Sequence, residues 1–593
     1  MSPAHAARRA GTRRRRVVIA VVLGLGVLLV ASVVWIGVRG MMARTELEAA
    51  VPLANRIQQD ILDDTGEAGV TFDELEDHAA AAASLTGDPI WRAGELVPFV
   101  GPNLAVVREL AESVAEVTDE TIRPLVALAG ELDLGAFKPV DGTVQLQPLL
   151  DAQPSVHAAS SSLKNVVDRL DGLDTTVTVG FVAEAAGRLR SVVGDASDLM
   201  DAMDRTLTLM PAMLGVDGPR NYLLLFQNPA ELRAGGGIAG ALALVHVDAG
   251  RIELVQQASS GDFPYYPEPV IELPVETIGI YGEVAGEYIQ NVTSPPQFEL
   301  SAALAREMWK REFGVEVDGV FSADPVMLGY LLEATGPVEL GAGEQLTADN
   351  AVDVLLRDVY ARFPNPRDQD DFFAVAASAV FSRIAGGDLD PATMVGALTR
   401  AGEEGRVLLW SARETEQAVI AETSLAGHLP VSDNQVQRFG VYLHDTTASK
   451  MDYHLMTEVA VGSVSCRNDG RANVSAEVTL TNTAPADAAT SLPPYVTGGG
   501  RWVQAGNIRT TVVVYGPTGA LNLGAESNGE PFAAQPSTDS GYSVARYEVE
   551  LAPGESSTVR INMLTGSAFS GRVETVITPG VNPPVTKDLS LIC

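Results

Sequence analysis

The first pattern along the chain is a run of 22 residues, 17–38 (VVIAVVLGLGVLLVASVVWIGV), without a charge or a proline. As a helix rising 1.5 Å per residue it reaches about 33 Å, the thickness of a bilayer's hydrocarbon core. Over residues 45–213 apolar positions recur at helical spacing: Leu47, Val51, Ala54, Ile57 and Ile61, then Val107, Leu110, Val114 and Val117, then Leu163, Val166, Val167 and Leu170. The faces between them are acidic, which predicts a stalk or bundle of amphipathic helices. Breaks fall at Gly101-Pro102 and Lys138-Pro139. Beyond Asp217-Gly218-Pro219 short apolar runs predict strands at 222–226, 241–247 and 251–255, the last two joined by Asp248-Ala249-Gly250 as a hairpin. Helical patterns follow at 301–313, 324–334, 347–361 and 369–384, so this stretch reads as an α/β domain, a sheet covered by helices. From Thr457 the pattern alternates, with strands at 473–480, 510–515, 542–551, 557–564 and 573–577, which predicts an immunoglobulin-like β-sandwich.

The fold class expected is therefore multidomain α+β. It comprises a basic tail (1–16), a transmembrane helix (17–38), a helical region (45–213), an α/β domain (214–455) and a β-sandwich (456–593). Charge orients it. Arg8, Arg9 and Arg13 to Arg16 precede the apolar run and only Arg39 and Arg44 follow closely, an imbalance that keeps the N-terminus in the cytoplasm and the bulk of the chain outside. A cleaved signal peptide would have an apolar stretch of about 7–15 residues and a small-residue cleavage site. This run is longer, and GVRGMMAR after Trp35 offers no such site, so the expectation is an uncleaved signal-anchor in the cell membrane.

The segment from Thr45 onward holds all 76 acidic residues and 33 of the 41 basic ones, a net charge near −43. Such a surface excludes nucleic-acid binding by bulk electrostatics and suits solubility at a cell surface. The two cysteines, Cys466 and Cys593, both lie in this part. An even count outside the cell suggests a disulfide, worth about 4–5 kcal/mol in the chain-entropy picture; the alternative is two buried thiols.

Candidate chemistry concentrates in GPRNYLLLFQNPAELRAGGGIAG, residues 218–240. Gly235, Gly237 and Gly240 spell G-x-G-x-x-G, but a strand rather than a helix is predicted to follow, against a dinucleotide site. No H-E-x-x-H, G-x-S-x-G, Walker loop or metal-spaced cysteine pair occurs. His246, His444 and His454 are scattered and read as structural residues. What remains is arginine: Arg220, Arg233, Arg357, Arg362 and Arg367 fall at element ends or in loops, where guanidinium forks could hold phosphate oxygens or pair with surface carboxylates.

Four blocks in order, RNYLLLFQNPAELRAGGGIAG, VDGVFSADPVMLGYLLEATGPVEL, GVYLHDTTASKMDY and LPPYVTG, resemble the bacterial family designated domain of unknown function 4012 (DUF4012), from about Asp88 to the C-terminus. That resemblance implies an envelope protein without implying an activity. The middle domain also resembles the LytR-CpsA-Psr phosphotransferases, which move glycopolymers from polyprenyl-pyrophosphate carriers to peptidoglycan. NYLLLFQN resembles their first strand, with Asn228 where they have an acidic residue, and Gly261-Asp262 stands in place of a later arginine-aspartate pair. LTADNAVDVLLRDVYARFPNPRDQDDFFAVAASAV resembles their paired-arginine block. This likeness implies that Arg233, Arg362 and Arg367 bind pyrophosphate, with Arg357 a further matching position, and that Asp262 binds a cation, Mg²⁺, the one cofactor it suggests; Arg220 is a candidate ligand-binding residue on its arginine chemistry alone. The partners expected are the membrane and a polyprenyl-phosphate lipid or wall glycopolymer, with catalysis left open by the missing acidic ligand; the rival expectation is a non-enzymatic surface scaffold or adhesion protein.

Overall fold

The computed structural model describes residues 4–63, 65–131, 138–341, 343–464 and 467–590. Cys466 and Cys593, and with them the expected disulfide, lie outside the described residues. The chain is a mixed α+β structure of two compact units, Met1–Ala136 with Gln147–Pro211, and Phe137–Leu146 with Ala212–Cys593.

The first unit is helical: α1 (Ala4–Asp63), α2 (Thr65–Thr86), α3 (Pro89–Gly94), α4 (Gly101–Glu116), α5 (Arg123–Glu131), α6 (Leu146–Asp171) and α7 (Gly180–Met213). α1 contains a stretch long and apolar enough to cross a membrane. Its large aliphatic side chains between Val18 and Val38 are exposed except Ile36, which is half-buried, and full burial starts at Ala43. Beyond that point Ala50, Leu53 and Ile57 pack against Phe72 and Leu75 of α2. One continuous helix therefore presents an all-round apolar surface and then an amphipathic one, the distinction between a lipid-facing and a protein-facing segment. α6 and α7 are tied by Asp201, which accepts from the Ser160 hydroxyl at 2.5 Å and pairs with Lys164 at 3.0 Å.

In the second unit, β1 (Arg220–Asn228), β2 (Ile238–Asp248), β3 (Arg251–Ser259), β4 (Gly319–Ala323) and, further on, the strand Leu408–Ser411 form a sheet. The order is β3-β2-β1-β4 and then that last strand, with β1 and β4 parallel and the other pairs antiparallel. The expected hairpin is present. Its turn places Ala249 at φ +47° and Gly250 at φ +84°, the pair of left-handed residues that a type I′ turn needs. A Cβ on Gly250 would stand 2.2 Å from the Val144 carbonyl oxygen, so only glycine fits. Helices α8 (Val275–Tyr281), α9 (Phe298–Phe313) and α10 (Pro325–Thr335) follow, interleaved with β4. After the small hairpin β5 (Val338–Gly341) and β6 (Glu344–Leu346) come α11 (Ala351–Asp353), a π-helical turn Val354–Asp358, α12 (Val359–Arg362), α13 (Pro366–Ala385) and α14 (Pro391–Glu403). The Leu408–Ser411 strand is β7. α9 buries Phe298, Ala302, Leu304, Met308 and Trp309 against the sheet's Leu223, Leu225 and Leu242.

Two further sheets face each other. One has the order β13-β12-β16-β10-β9-β18 and the other β14-β15-β11-β8-β17, built from β8 (Val436–Asp445), β9 (Leu455–Val464), β10 (Arg471–Asn482), β11 (Ile508–Tyr515), β12 (Leu521–Ser527), β13 (Glu530–Phe532), β14 (Gln535–Asp539), β15 (Tyr542–Leu551), β16 (Ser556–Ala568), β17 (Arg572–Ile577) and β18 (Val585–Asp588). On β10 the alternate residues Ala472, Val474, Ala476, Val478 and Leu480 point into the shared core, meeting Phe439, Val441 and Leu443 of β8 and Val512 and Val514 of β11. The β-rich part thus begins at Val436, ahead of the composition change at residue 456. β8 lies between β11 and β17 and is buried at nine of its ten positions, so it lacks the in-out alternation that betrays the later strands.

Candidate functional site

A cavity of about 690 Å³ opens in the second unit beside the C-terminal ends of β1 and β4. Its floor is the sheet, through Leu224, Leu242 and Phe321, and its cover is α10 and α13, through Leu328, Ala377 and Phe381. The volume falls in the range of about 300–1,000 Å³ usual for small-ligand sites. The apolar lining follows from sequence pattern: α13 turns alanines and a phenylalanine toward the sheet at helical spacing, and small side chains there leave space that leucines would fill.

Polar groups gather at the rim. β1 ends in Asn228, whose Oδ1 accepts from Ala230 N at 3.0 Å while its amide donates to the Tyr360 hydroxyl at 2.5 Å. Tyr360 lies 5.7 Å from the Tyr495 ring, and the Lys450 ammonium stands 5.9 Å from the same ring. Asn228, Tyr360, Tyr495 and Lys450 all line the cavity. Lys450 is buried and ion-paired with Glu231. Burial alone would depress its pKa, but the carboxylate of Glu231 reverses that, and Lys450 is held above its ordinary value. Glu231 is held below its own, against its burial, by Lys450 and then Arg233. Burial, followed by the nearby Asp445, pushes the Asp452 carboxyl well above the ordinary range, and its Oδ2 accepts from Leu232 N at 2.8 Å.

Of the residues singled out from sequence, Asp262 and Arg367 line this cavity, and the other four do not. Arg220 starts β1, at the strand's opposite end from Asn228; its side chain is buried, 3.7 Å from Glu416. Arg233 bonds Asn291 Oδ1 at 3.0 and 3.1 Å and the Leu232 carbonyl at 2.8 Å, beside a second, smaller cleft of about 190 Å³. Arg357 pairs with Asp358 at 2.7 Å and Asp353 at 3.0 Å. Arg362 bonds both carboxylate oxygens of Glu344. The expected cluster of arginines is therefore not assembled, and each of the four absentees has a carboxylate beside it, Arg233 sharing Glu231 with Lys450. Asp262 closes a capping turn by accepting from Ser259 N at 2.8 Å. Its neighbour Asp370 is raised above the usual carboxylate range by burial, then by the charges of Asp262 and Asp371. Among the described residues no group of three or more His, Cys, Asp or Glu side chains is arranged to hold a metal ion, so Asp262 has no such partners for Mg²⁺.

His444, in the smaller cleft, is structural in character. Burial, then Arg233 and Arg546, push its pKa down to about 3. A pKa of about 6.5 unfolded and about 3 folded means that the unfolded chain binds the proton first on acidification. Stability is therefore complete above pH 6.5 and is lost progressively between 6.5 and 3, by about 1.4 kcal/mol per pH unit. Denaturant unfolding of a His444→Asn variant should show a stability-pH slope shallower than that of the unmodified chain by close to one proton between pH 6 and 4. Equal slopes would mean that His444 is solvated.

None of the curated proteins compared with the chain matches it. Among solved structures, a Legionella pneumophila protein named for nutrient binding is matched at 8% identity over 23% of this chain and 45% of its own length, with a TM-score of 0.15. The chain thus spans under half of that structure, and at that score the likeness says nothing of fold. Residues 217–360, which carry β1 with Asn228 through to Tyr360 at the cavity rim, match the family described as Protein of unknown function (DUF4012), which supports over this segment the resemblance read in the RNYLLLFQN and VDGVFSADP blocks.

Proposed function

We propose that the protein is a single-pass, membrane-anchored envelope protein that binds a lipid carrier of surface glycopolymer, its apolar chain in the cavity and its anionic head at the rim. The observation that carries this reading is the pairing of an aliphatic cavity of about 690 Å³ with a rim where Lys450, Arg367 and the hydroxyls of Tyr360 and Tyr495 stand among the carboxylates of Asp262, Asp370 and Asp371. A soluble polar ligand would leave those walls unsatisfied; a hydrocarbon chain with a phosphate end matches both parts. The resemblance to LytR-CpsA-Psr phosphotransferases, read from the sequence alone, implies the same ligand class. The proposal is one of binding, since Arg233, Arg357 and Arg362, which transfer chemistry would need at the pyrophosphate, do not line the cavity. In this reading the C-terminal pair of sheets is an immunoglobulin-like module, the N-terminal helix is an uncleaved anchor, and tethering raises the effective concentration of a membrane-borne ligand.

The test is the lipid content of the full chain isolated in nanodiscs from its own membranes, read by mass spectrometry of the organic extract. A polyprenyl phosphate enriched over its abundance in the membrane supports the proposal. An extract that mirrors bulk membrane lipid overturns it and leaves the scaffold reading, in which the β-sheets alone contact partners.

A further inference from the structure

The first unit exposes apolar side chains at one place where a water-facing turn would carry polar ones. Between α3 and α4 the chain reads Glu95-Leu-Val-Pro-Phe-Val-Gly101. Leu96 is 86% exposed and Phe99 91%, with Val97 and Val100 exposed beside them. The turn is not loose. Gly101 N donates to the Val97 carbonyl at 2.7 Å, and Asn103 Nδ2 to the Phe99 carbonyl at 3.0 Å. Phe99 is held at φ +69°, a conformation that bulky residues rarely adopt. Its one acidic residue, Glu95, is neutralised by Arg108 at 2.8 Å, so the tip is apolar and without net charge.

A second turn stands next to it. Val179 N donates to Asn103 Oδ1 at 2.8 Å, which brings the α6–α7 connection against the start of α4. That connection exposes Val177 and Val179, and the first turn of α7 exposes Phe181. Both turns belong to the end of the bundle where α1 changes character. A Cβ on Gly94 would stand 2.8 Å from Ile36 Cδ1, Gly40 lies within 3.4 Å of the Trp91 ring by the same measure, and Arg39 pairs with Asp88 at 2.6 Å. Ile36 is in the last turn of the exposed apolar run, next to Trp35, over whose ring Arg39 is placed at 5.0 Å. An aromatic and a cation at that position form the boundary at which a spanning helix leaves the hydrocarbon.

We infer that the 96–100 and 177–181 turns dip into the outer face of the membrane that α1 crosses, making the helical unit a three-point membrane contact. The inference rests on the anchor reading of α1. Continuity selects the occupant: the exposed turns adjoin the lipid-facing part of the same helix, whereas an exposed apolar patch of this kind elsewhere would be open to any partner. Interfacial insertion of this sort needs apolar and aromatic tips; the 96–100 turn has no net charge, and at the second turn the exposed carboxylates of Asp174 and Glu184 lie three residues to either side of the apolar 177–181 stretch. It would fix the tilt of the bundle relative to the bilayer, which a single spanning helix leaves free.

The experiment uses the full chain with p-benzoylphenylalanine placed singly at positions 28, 51, 99 and 181, irradiated in native membranes, with adducts identified by mass spectrometry. Leu28 is within the exposed run and reports whether α1 spans. Val51 is exposed on the same helix, 15 residues beyond Ile36, hence about 22 Å further along it. The expected result is lipid adducts at 28, 99 and 181 and their loss at 51. Lipid adducts at 28 with none at 99 and 181 overturn the inference while the anchor stands. Protein adducts at 99 or 181 overturn it in favour of a second copy or another protein, and absence of lipid at 28 overturns the anchor and the inference together.

Discussion

Replacing Asp324 with alanine should destabilise the second unit by about 3–5 kcal/mol, the cost of leaving one member of a buried ion pair alone. Asp324 and Arg406 are 5% and 3% exposed, and Arg406 Nη1 donates to Asp324 Oδ2 at 2.7 Å. The other carboxylate oxygen caps α10 by accepting from Met327 N at 2.7 Å, an interaction worth about 0.5–2 kcal/mol by itself. Arg406 also donates to the Gly580 carbonyl at 3.1 Å, so the guanidinium joins β4, α10 and the segment after β17. With the carboxylate gone, only Glu404, which is partly exposed, remains to balance it. Asp324→Asn keeps an acceptor for the cap and loses the charge, and should fall between the two. Denaturant midpoints of the three proteins decide the matter: a shift below about 1 kcal/mol for the alanine variant, within the range of an ordinary surface change, would mean that water reaches Arg406.

The elements were easier to read from sequence than the site because periodicity is local and convergence is not. β15 occupies residues 542–551 as its alternation predicts, and the β2–β3 turn follows from Asp248-Ala249-Gly250. β8 escaped because it is buried on both faces. For the arginines, spacing identifies positions near element ends but not the carboxylate each one meets. Arg362 meets Glu344, 18 residues earlier, on the β5–β6 hairpin. Arg220 stands at an element end, as its place after Gly218-Pro219 allows, but it is the first residue of a strand and its side chain is buried beside Glu416.

The rim residues Lys450 and Tyr495 were missed for the complementary reason. A lysine after Thr-Thr-Ala-Ser reads as a solvent-facing turn, and only the packing of Glu231 against it, 219 residues away in sequence, makes it a buried cation. A signal was nonetheless present. The block containing Asn228 and Glu231 lies in the segment that matches DUF4012, and the sequence resemblance also picked out the strings that hold Lys450 and Tyr495. The meeting of Asn228, Tyr360, Lys450 and Tyr495 at one rim shifts attention to them from the arginines.

Filling the cavity should eliminate lipid binding without unfolding the protein. Ala377 lies on the cavity face of α13, and Ala377→Trp places an indole where the proposed hydrocarbon chain would run. Because the added ring enters existing space, the usual overpacking cost of about 1–3 kcal/mol should be largely avoided. Val375, two residues earlier, is exposed on the same helix, and Val375→Trp adds the same side chain outside the cavity. The expected outcome is at least a tenfold fall in polyprenyl phosphate retained by Ala377→Trp, equivalent to about 1.4 kcal/mol or more of binding, with the Val375→Trp protein unchanged and both melting close to the parent. A folded Ala377→Trp protein that keeps its full lipid complement would show that the cavity is not where the lipid sits. A parallel loss in Val375→Trp would place the lipid on the outside of α13 instead.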